Sequence, residues 1–188
     1  MCMGILVCGL NGSGKSTLGR ALAERLGFHF IDNEDLLFSK ADPRYMFAAP
    51  RSHKEAEELL AREVKSYQRF VFAAVKGDYG DNIMPLYQFA VLMTAPRELR
   101  LQRVKSRSFE RFGDRMRPGG DLYAPEKAFF DMVASRTEGY VEEWAQSLRC
   151  PTLRVNGADP VNENVERILN RMREAFPAAV LPCRALEG

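Results

Sequence analysis

The sequence predicts an α/β fold of three layers, a five-stranded parallel sheet with helices on both faces. Three observations predict it. The stretch Gly9-Leu10-Asn11-Gly12-Ser13-Gly14-Lys15-Ser16-Thr17 fits G-x-x-x-x-G-K-[ST], a phosphate-binding pattern. An apolar, β-branched run precedes it and a helical repeat follows it, which is the context the pattern needs. Further down the chain, four more apolar runs of strand length alternate with helical stretches.

The first strand is Gly4-Ile5-Leu6-Val7-Cys8, continuous in its hydrophobicity as a strand buried on both faces should be. After the loop, Leu18, Leu22 and Leu26 recur every four residues, and Gly27 stands where a helix C-cap glycine belongs. Glycines let the loop turn with its N–H groups inward, and the positive end of the helix dipole adds to them. Lys15 then reaches the β- and γ-phosphates and the Ser16 hydroxyl ligates Mg²⁺, with Asn11, Gly12, Ser13, Gly14 and Thr17 completing the cradle. The expected ligand is a nucleoside triphosphate.

Phe28-His29-Phe30-Ile31 reads as the second strand, with His29 packed inside it, and it ends in Asp32-Asn33-Glu34-Asp35. Acids at a strand's C-terminal end are placed for function, because ligands of open α/β sheets gather there. A helix N-cap cluster is the competing reading. The two stand level for Glu34 and Asp35, and function is favoured for Asp32. Residues 39 to 52 are irregular; a helix then covers Lys54 to Tyr67. This interval, about 39–68, is expected to form a small mobile cap over an acceptor site. Arg44 and Arg51 are its candidates for an anionic acceptor, and plain solvation competes for either.

Phe70 to Val75 is the third strand, with Lys76-Gly77-Asp78 at its exit, and Gln88 to Met93 is the fourth. A basic helix follows, on which Arg100, Arg103, Arg107 and Arg111 recur along one side, with Leu101, Val104 and Phe112 on the adjacent side. Between Arg97 and Arg117 eight basic residues face three acidic ones, so this window carries +5 and the rest of the chain −3. Glycine and proline flank Asp114-Arg115-Met116-Arg117, the composition of a hinged lid at about 108–125. Residues 126 to 145 are a further helical stretch whose aromatics are expected in the core. Thr152 to Val155 is the last strand, the turn Asn156-Gly157-Ala158-Asp159-Pro160 follows, and the final helix buries Val161, Val165, Ile168, Leu169, Met172 and Phe176. Residues 1–176 make one domain and 177–188 a loose tail.

Composition narrows the function. A net charge of +2 over 188 residues is too small for a dedicated nucleic-acid or membrane binder. Four cysteines without C-x-x-C spacing and two histidines offer little to a metal site, and fit a reducing cytoplasm. The apolar start is read as too short for a signal sequence, and no run approaches membrane-spanning length.

These residues together resemble the P-loop small-molecule kinases, in particular the shikimate kinase and nucleoside-monophosphate kinase branch. The resemblance runs from about Gly4 to Phe176. It implies the three-layer P-loop kinase fold with a small acceptor cap and an arginine-rich lid, and it implies ATP and Mg²⁺. Phe30-Ile31-Asp32-x-Glu34 is similar to the family's acidic pair after the second strand, which implies Asp32 for the metal shell or the acceptor hydroxyl and Glu34 for the acceptor. Leu101-Gln102-Arg103-Val104-Lys105-Ser106-Arg107 resembles the R-x-x-x-R at the lid entry, which implies Arg103 on adenine and Arg107 on phosphate. Arg136-x-x-x-Tyr140 resembles the second lid arginine element, and Asn156 to Pro160 the loop bordering adenine, through Gly157 and Pro160. Two departures bear on the acceptor. Lys76-Gly77-Asp78 stands where shikimate kinases carry a glycine triplet, and the Asp-Gly-x-Pro-Arg element of the monophosphate kinases is missing. The pocket expected from Glu34, Arg44 and Asp78 is therefore bulkier and charged, and either Asp32 or Asp78 supplies the metal-side carboxylate. The expectation is transfer of the ATP γ-phosphoryl group to a small-molecule acceptor by a monomer or homodimer, with Lys15, Asp32, Arg107 and Arg136 catalytic. A nucleotide-dependent ATPase switch without an acceptor and a nucleic-acid end kinase are the rival classes.

Overall fold

A computed structural model describes residues 3–42 and 44–176; the expected tail, 177–188, lies outside them. Five strands form one sheet, β1 (Met3–Gly9), β2 (His29–Asp32), β3 (Arg69–Ala74), β4 (Tyr87–Thr94) and β5 (Thr152–Asn156). Their order is β2-β3-β1-β4-β5 and every pairing is parallel. β1 is central, so the loop after it emerges at mid-sheet, where the chain runs outward to β2 on one side and to β4 and β5 on the other.

Strand alternation sorts the core into two layers. Ile5 and Val7 of β1 face one side, with Leu18, Leu22 and Leu26 of α1 (Lys15–Leu26) and Val165, Ile168 and Met172 of α7 (Val161–Ala175). Leu6 and Cys8 face the other, with Ala56, Leu60 and Val64 of α3 (His53–Ser66) and Val141 and Ala145 of α6 (Gly139–Ala145). Burial pushes the Cys8 thiol up to about 12, an inert small hydrophobe within β1. His29 is packed as expected, stacked on Tyr67 with Nε2 2.8 Å from Glu63.

The interval expected as a cap divides in two. α3 belongs to the core, because its Ala56, Leu60 and Val64 are buried against the sheet. Only residues 39–52, between α2 (Asn33–Leu37) and α3, are irregular. A capping box opens α3: the Glu55 amide donates to Ser52 Oγ, and the Ser52 amide donates to Glu55 Oε2 at 2.8 Å. Ser52→Ala is expected to cost about 1 kcal/mol, read as a lower urea midpoint with an unchanged m-value.

α4 (Arg97–Phe112) leads to a short 3₁₀ turn, Gly113–Met116, and then α5 (Tyr123–Ser135). The stretch expected as one helix over 126–145 breaks between α5 and α6. Arg136 has left the helical region there, with φ −71° and ψ 117°. Its aromatics are not uniformly core: Tyr140 is 42% exposed.

Candidate active site

β1 delivers Gly9 to the top of the sheet, and the loop closes before α1 starts at Lys15. Gly12 and Gly14 hold φ of 79° and 98°, the left-handed region that only glycine enters without strain. At Gly12 there is also no room, since a Cβ would run into the Arg100 carbonyl oxygen. Ser13 is fully buried and its amide donates to the Leu10 carbonyl at 3.2 Å, a bond that closes the turn of the loop. Ser16 and Thr17 lie in the first turn of α1, where amides lack helical partners and favour an anion.

Lys15 crosses this ring and donates from Nζ to the Leu10 carbonyl at 3.0 Å. Burial pushes its ammonium down to about 8, the Asp32 carboxylate pulls it back up, and the guanidiniums of Arg107 and Arg136 push it further down. Arg136 reaches the loop directly, donating from Nη1 to Asn11 Oδ1 at 2.6 Å. Its guanidinium also lies 5.5 Å from the Tyr140 ring centre, and Lys76 Nζ lies 3.7 Å from the same centre. Tyr140 therefore gathers two cations beside the phosphate loop. Arg107 is exposed and makes no hydrogen bond or ion pair among the described residues.

On the α1/α7 side Arg103 donates from Nη1 to the Gly157 carbonyl at 2.9 Å. Gly157 abuts the phosphate loop so closely that a Cβ would meet the Ser13 carbonyl oxygen. A cavity of about 240 Å³ opens here between Gly14, Thr17, Arg103, Gly157, Asp159 and Asn164. Pro160 is next to it as the N-cap of α7. Gly157→Ala is expected to destabilise the chain by about 1–3 kcal/mol, the usual cost of overpacking, seen as a shift of the urea midpoint.

Asp32 takes the capping role its sequence position allows and also faces the phosphate loop electrostatically. It is the N-cap of α2, accepting from the Glu34 amide on Oδ1 at 3.0 Å, and its charge acts on Lys15. Glu34 stands between two cations, Lys40 Nζ at 3.7 Å and Arg111 Nη1 at 3.6 Å. Arg111 also lies over the Phe47 ring, and Phe47, Tyr45 and Phe112 form one aromatic cluster. Residues 39–52 thus touch the C-terminal end of α4 through apolar rings and a cation–π contact, while the ion pair to Arg111 comes from Glu34 of α2. Tyr45 donates to Glu126 Oε1 at 2.9 Å, and burial, then that carboxylate, pushes its phenol up. Neither partner carried a sequence signal; the 2% exposure of Glu126 depends on a contact 81 residues away.

Two expected acceptor residues are not brought to this group. Arg44 is 85% exposed at its side chain and pairs with its neighbour Asp42. Asp78 is exposed, and its carbonyl accepts from or faces His53 Nε2 at 3.0 Å. Arg100 departs from the arginine row. It is 2% exposed, on the face of α4 that buries Val104 and Ser108. An all-oxygen donor set of the Ser16 hydroxyl and the Asp32 carboxylate beside the loop fits Mg²⁺, which takes one or two protein oxygens and completes its shell from phosphate and water.

The parallel β2-β3-β1-β4-β5 sheet with this loop at its central strand is the P-loop kinase fold. The chain belongs to the AAA domain family, whose profile matches residues 5–115, more than half of its length. It is 28% identical over 174 residues to YqaC of Bacillus subtilis (strain 168), covering 88% of this chain and 95% of that one. It is 27% identical over 172 residues to the adenylate kinase isoenzyme 6 homolog of Caenorhabditis elegans, covering 87% and 86%. Among solved structures, shikimate kinase from Acinetobacter baumannii in complex with shikimate aligns with a TM-score of 0.54 and 24% identity, covering 93% and 94%. No helix among the described residues is long and apolar enough to cross a membrane.

Proposed function

We propose that this chain is an ATP- and Mg²⁺-dependent phosphotransferase that moves the γ-phosphoryl group to a small-molecule acceptor, most simply a hydroxyl. The observation that carries the reading is the Arg136 guanidinium, which comes from outside the phosphate loop and docks on Asn11 at 2.6 Å. Phosphoryl transfer spreads charge over the equatorial oxygens, and catalysis consists of placing positive charge around them. Lys15 and the loop amides hold the β- and γ-phosphates, while Arg107 and Arg136 neutralise the transferring group. Arg103 and Gly157 border the base in the 240 Å³ cavity. Mg²⁺, when bound through Ser16 and Asp32, supplies charge neutralisation across the phosphates. Asp32 uses one oxygen to cap α2 and keeps the other either for the metal shell or for the acceptor proton. Glu34, with Arg111 beside it, orients the acceptor under residues 39–52, and residues 108–125 serve as the lid.

The names of the aligned kinases support this reading at the level of chemistry, and the shikimate complex adds a small-molecule partner for that neighbour. The test is a panel of hydroxylated acceptors, sugars, polyols, hydroxy acids and nucleosides, incubated with Mg-ATP. At least one should raise ADP release well above background with a stoichiometric phosphoester product by ³¹P NMR. ATP that binds tightly yet is turned over at the same low rate with every acceptor would displace the kinase reading in favour of an ATPase switch.

A further inference from the structure

A second cavity, about 370 Å³, opens at the C-terminal edge of the sheet and meets the base cavity at Met93, which lines both. Their other walls differ. Leu92 and Val141 line the larger cavity and belong to the α3/α6 core layer, whereas the smaller one is lined by Leu18 and Asn164 on the α1/α7 side. Its volume lies in the range of small-molecule sites.

Its walls are apolar at Leu10, Leu92, Pro96 and Val141, with one buried cation, Arg100. That guanidinium has five donors. Among the described residues Nε reaches the Ala95 carbonyl at 3.2 Å and Nη1 the Asn11 carbonyl at 3.5 Å. No carboxylate of the described residues lies within ion-pair distance of it. Burial pushes the guanidinium below its usual range, with Glu138 and Glu98 acting against that shift and Arg97 adding to it. Across the cavity Glu142 is already taken by Arg154 at 2.9 Å. A guanidinium buried without a counter-charge is costly, and an anion entering the cavity would relieve that cost with charge-assisted bonds.

We propose that this cavity binds a small monocarboxylate with an apolar body, its carboxylate on Arg100 and its body between Leu92 and Val141. A dianion is disfavoured, because Arg154, the other cation of the lining, is taken by Glu142, and Glu138 adds a negative charge at the rim. Gly9 and Leu10 at the start of the phosphate loop border the site, and Arg100 also contacts the Asn11 carbonyl, so ligand and loop are directly coupled.

The probe is benzoate, with benzamide as its neutral isostere, titrated into the full chain labelled at Leu and Val methyls and saturated with Mg-ADP. Benzoate should shift the Leu92 and Val141 methyls saturably, with Kd on the order of 1 mM for a ligand of this size. Benzamide should bind about tenfold more weakly or worse, the loss expected for a charged hydrogen-bond partner. Arg100→Lys should weaken benzoate by a similar factor. Should that variant fail to fold, Glu138→Gln on the exposed rim should tighten benzoate severalfold by removing a like charge. No shift at these methyls, equal binding of benzamide, or an unchanged or weaker benzoate affinity in Glu138→Gln would overturn the proposal.

Discussion

Replacing Arg136 with alanine is expected to lower the rate of phosphoryl transfer by about 10³-fold or more, while nucleotide affinity changes only a few-fold. An arginine that acts on a transferring phosphoryl group contributes roughly 10³–10⁵ in rate, and 10³ corresponds to about 4 kcal/mol of barrier. An arginine that only makes a surface contact contributes about 0–1 kcal/mol. The two outcomes are far apart, so one pre-steady-state measurement with saturating Mg-ATP and acceptor separates them. Arg136→Lys should recover little. The guanidinium spans from Asn11 Oδ1 to the Tyr140 face, and a lysine cannot offer a planar fork to one while stacking on the other. A rate in Arg136→Ala within threefold of the parent chain would remove Arg136 from the reaction.

The parts of this site that were legible in the sequence are those fixed by neighbours in the chain. The phosphate loop, the start of α1 and the C-cap at Gly27 each follow from a few consecutive residues whose backbone demands are local. The two-layer core was legible for a similar reason, since strand alternation and helix repeat decide which side chains face inward. Contacts across long stretches of chain were not legible. On α4, Arg100 belongs to the same three-four series as Arg103, Arg107 and Arg111. Only the approach of Gly12 onto its carbonyl, and the loop over it, turn it inward. Tyr140 looked like a core aromatic because its neighbours Val141 and Trp144 pack against the sheet. The break after α5 instead leaves it at the surface between Lys76 and Arg136. Arg44 shows the reverse case, a charge in a promising place satisfied by Asp42 two residues away.

Replacing Lys15 with methionine is expected to abolish measurable transfer and to remove a pH dependence that the parent chain should show. In the free chain, burial holds the ammonium at about 8. A bound polyphosphate favours the charged form and raises that pKa. Below about 8 the lysine is protonated with or without nucleotide, so affinity is flat. Above it the free chain has lost the proton and must regain it to bind, so affinity falls by up to tenfold per pH unit until the raised, bound-state value is passed. The phosphate's own last proton, with a pKa near 6, is already gone in this range and adds no slope of the same sign. Calorimetric titration with Mg-ADP at pH 7, 8, 9 and 10, in buffers of differing ionisation enthalpy, reads both the affinity and the proton taken up. Parent chain should take up close to one proton at pH 9 and none at pH 7; Lys15→Met should take up none at either. Proton uptake that persists in Lys15→Met would assign the titration to another group and leave the ammonium with no part in holding phosphate.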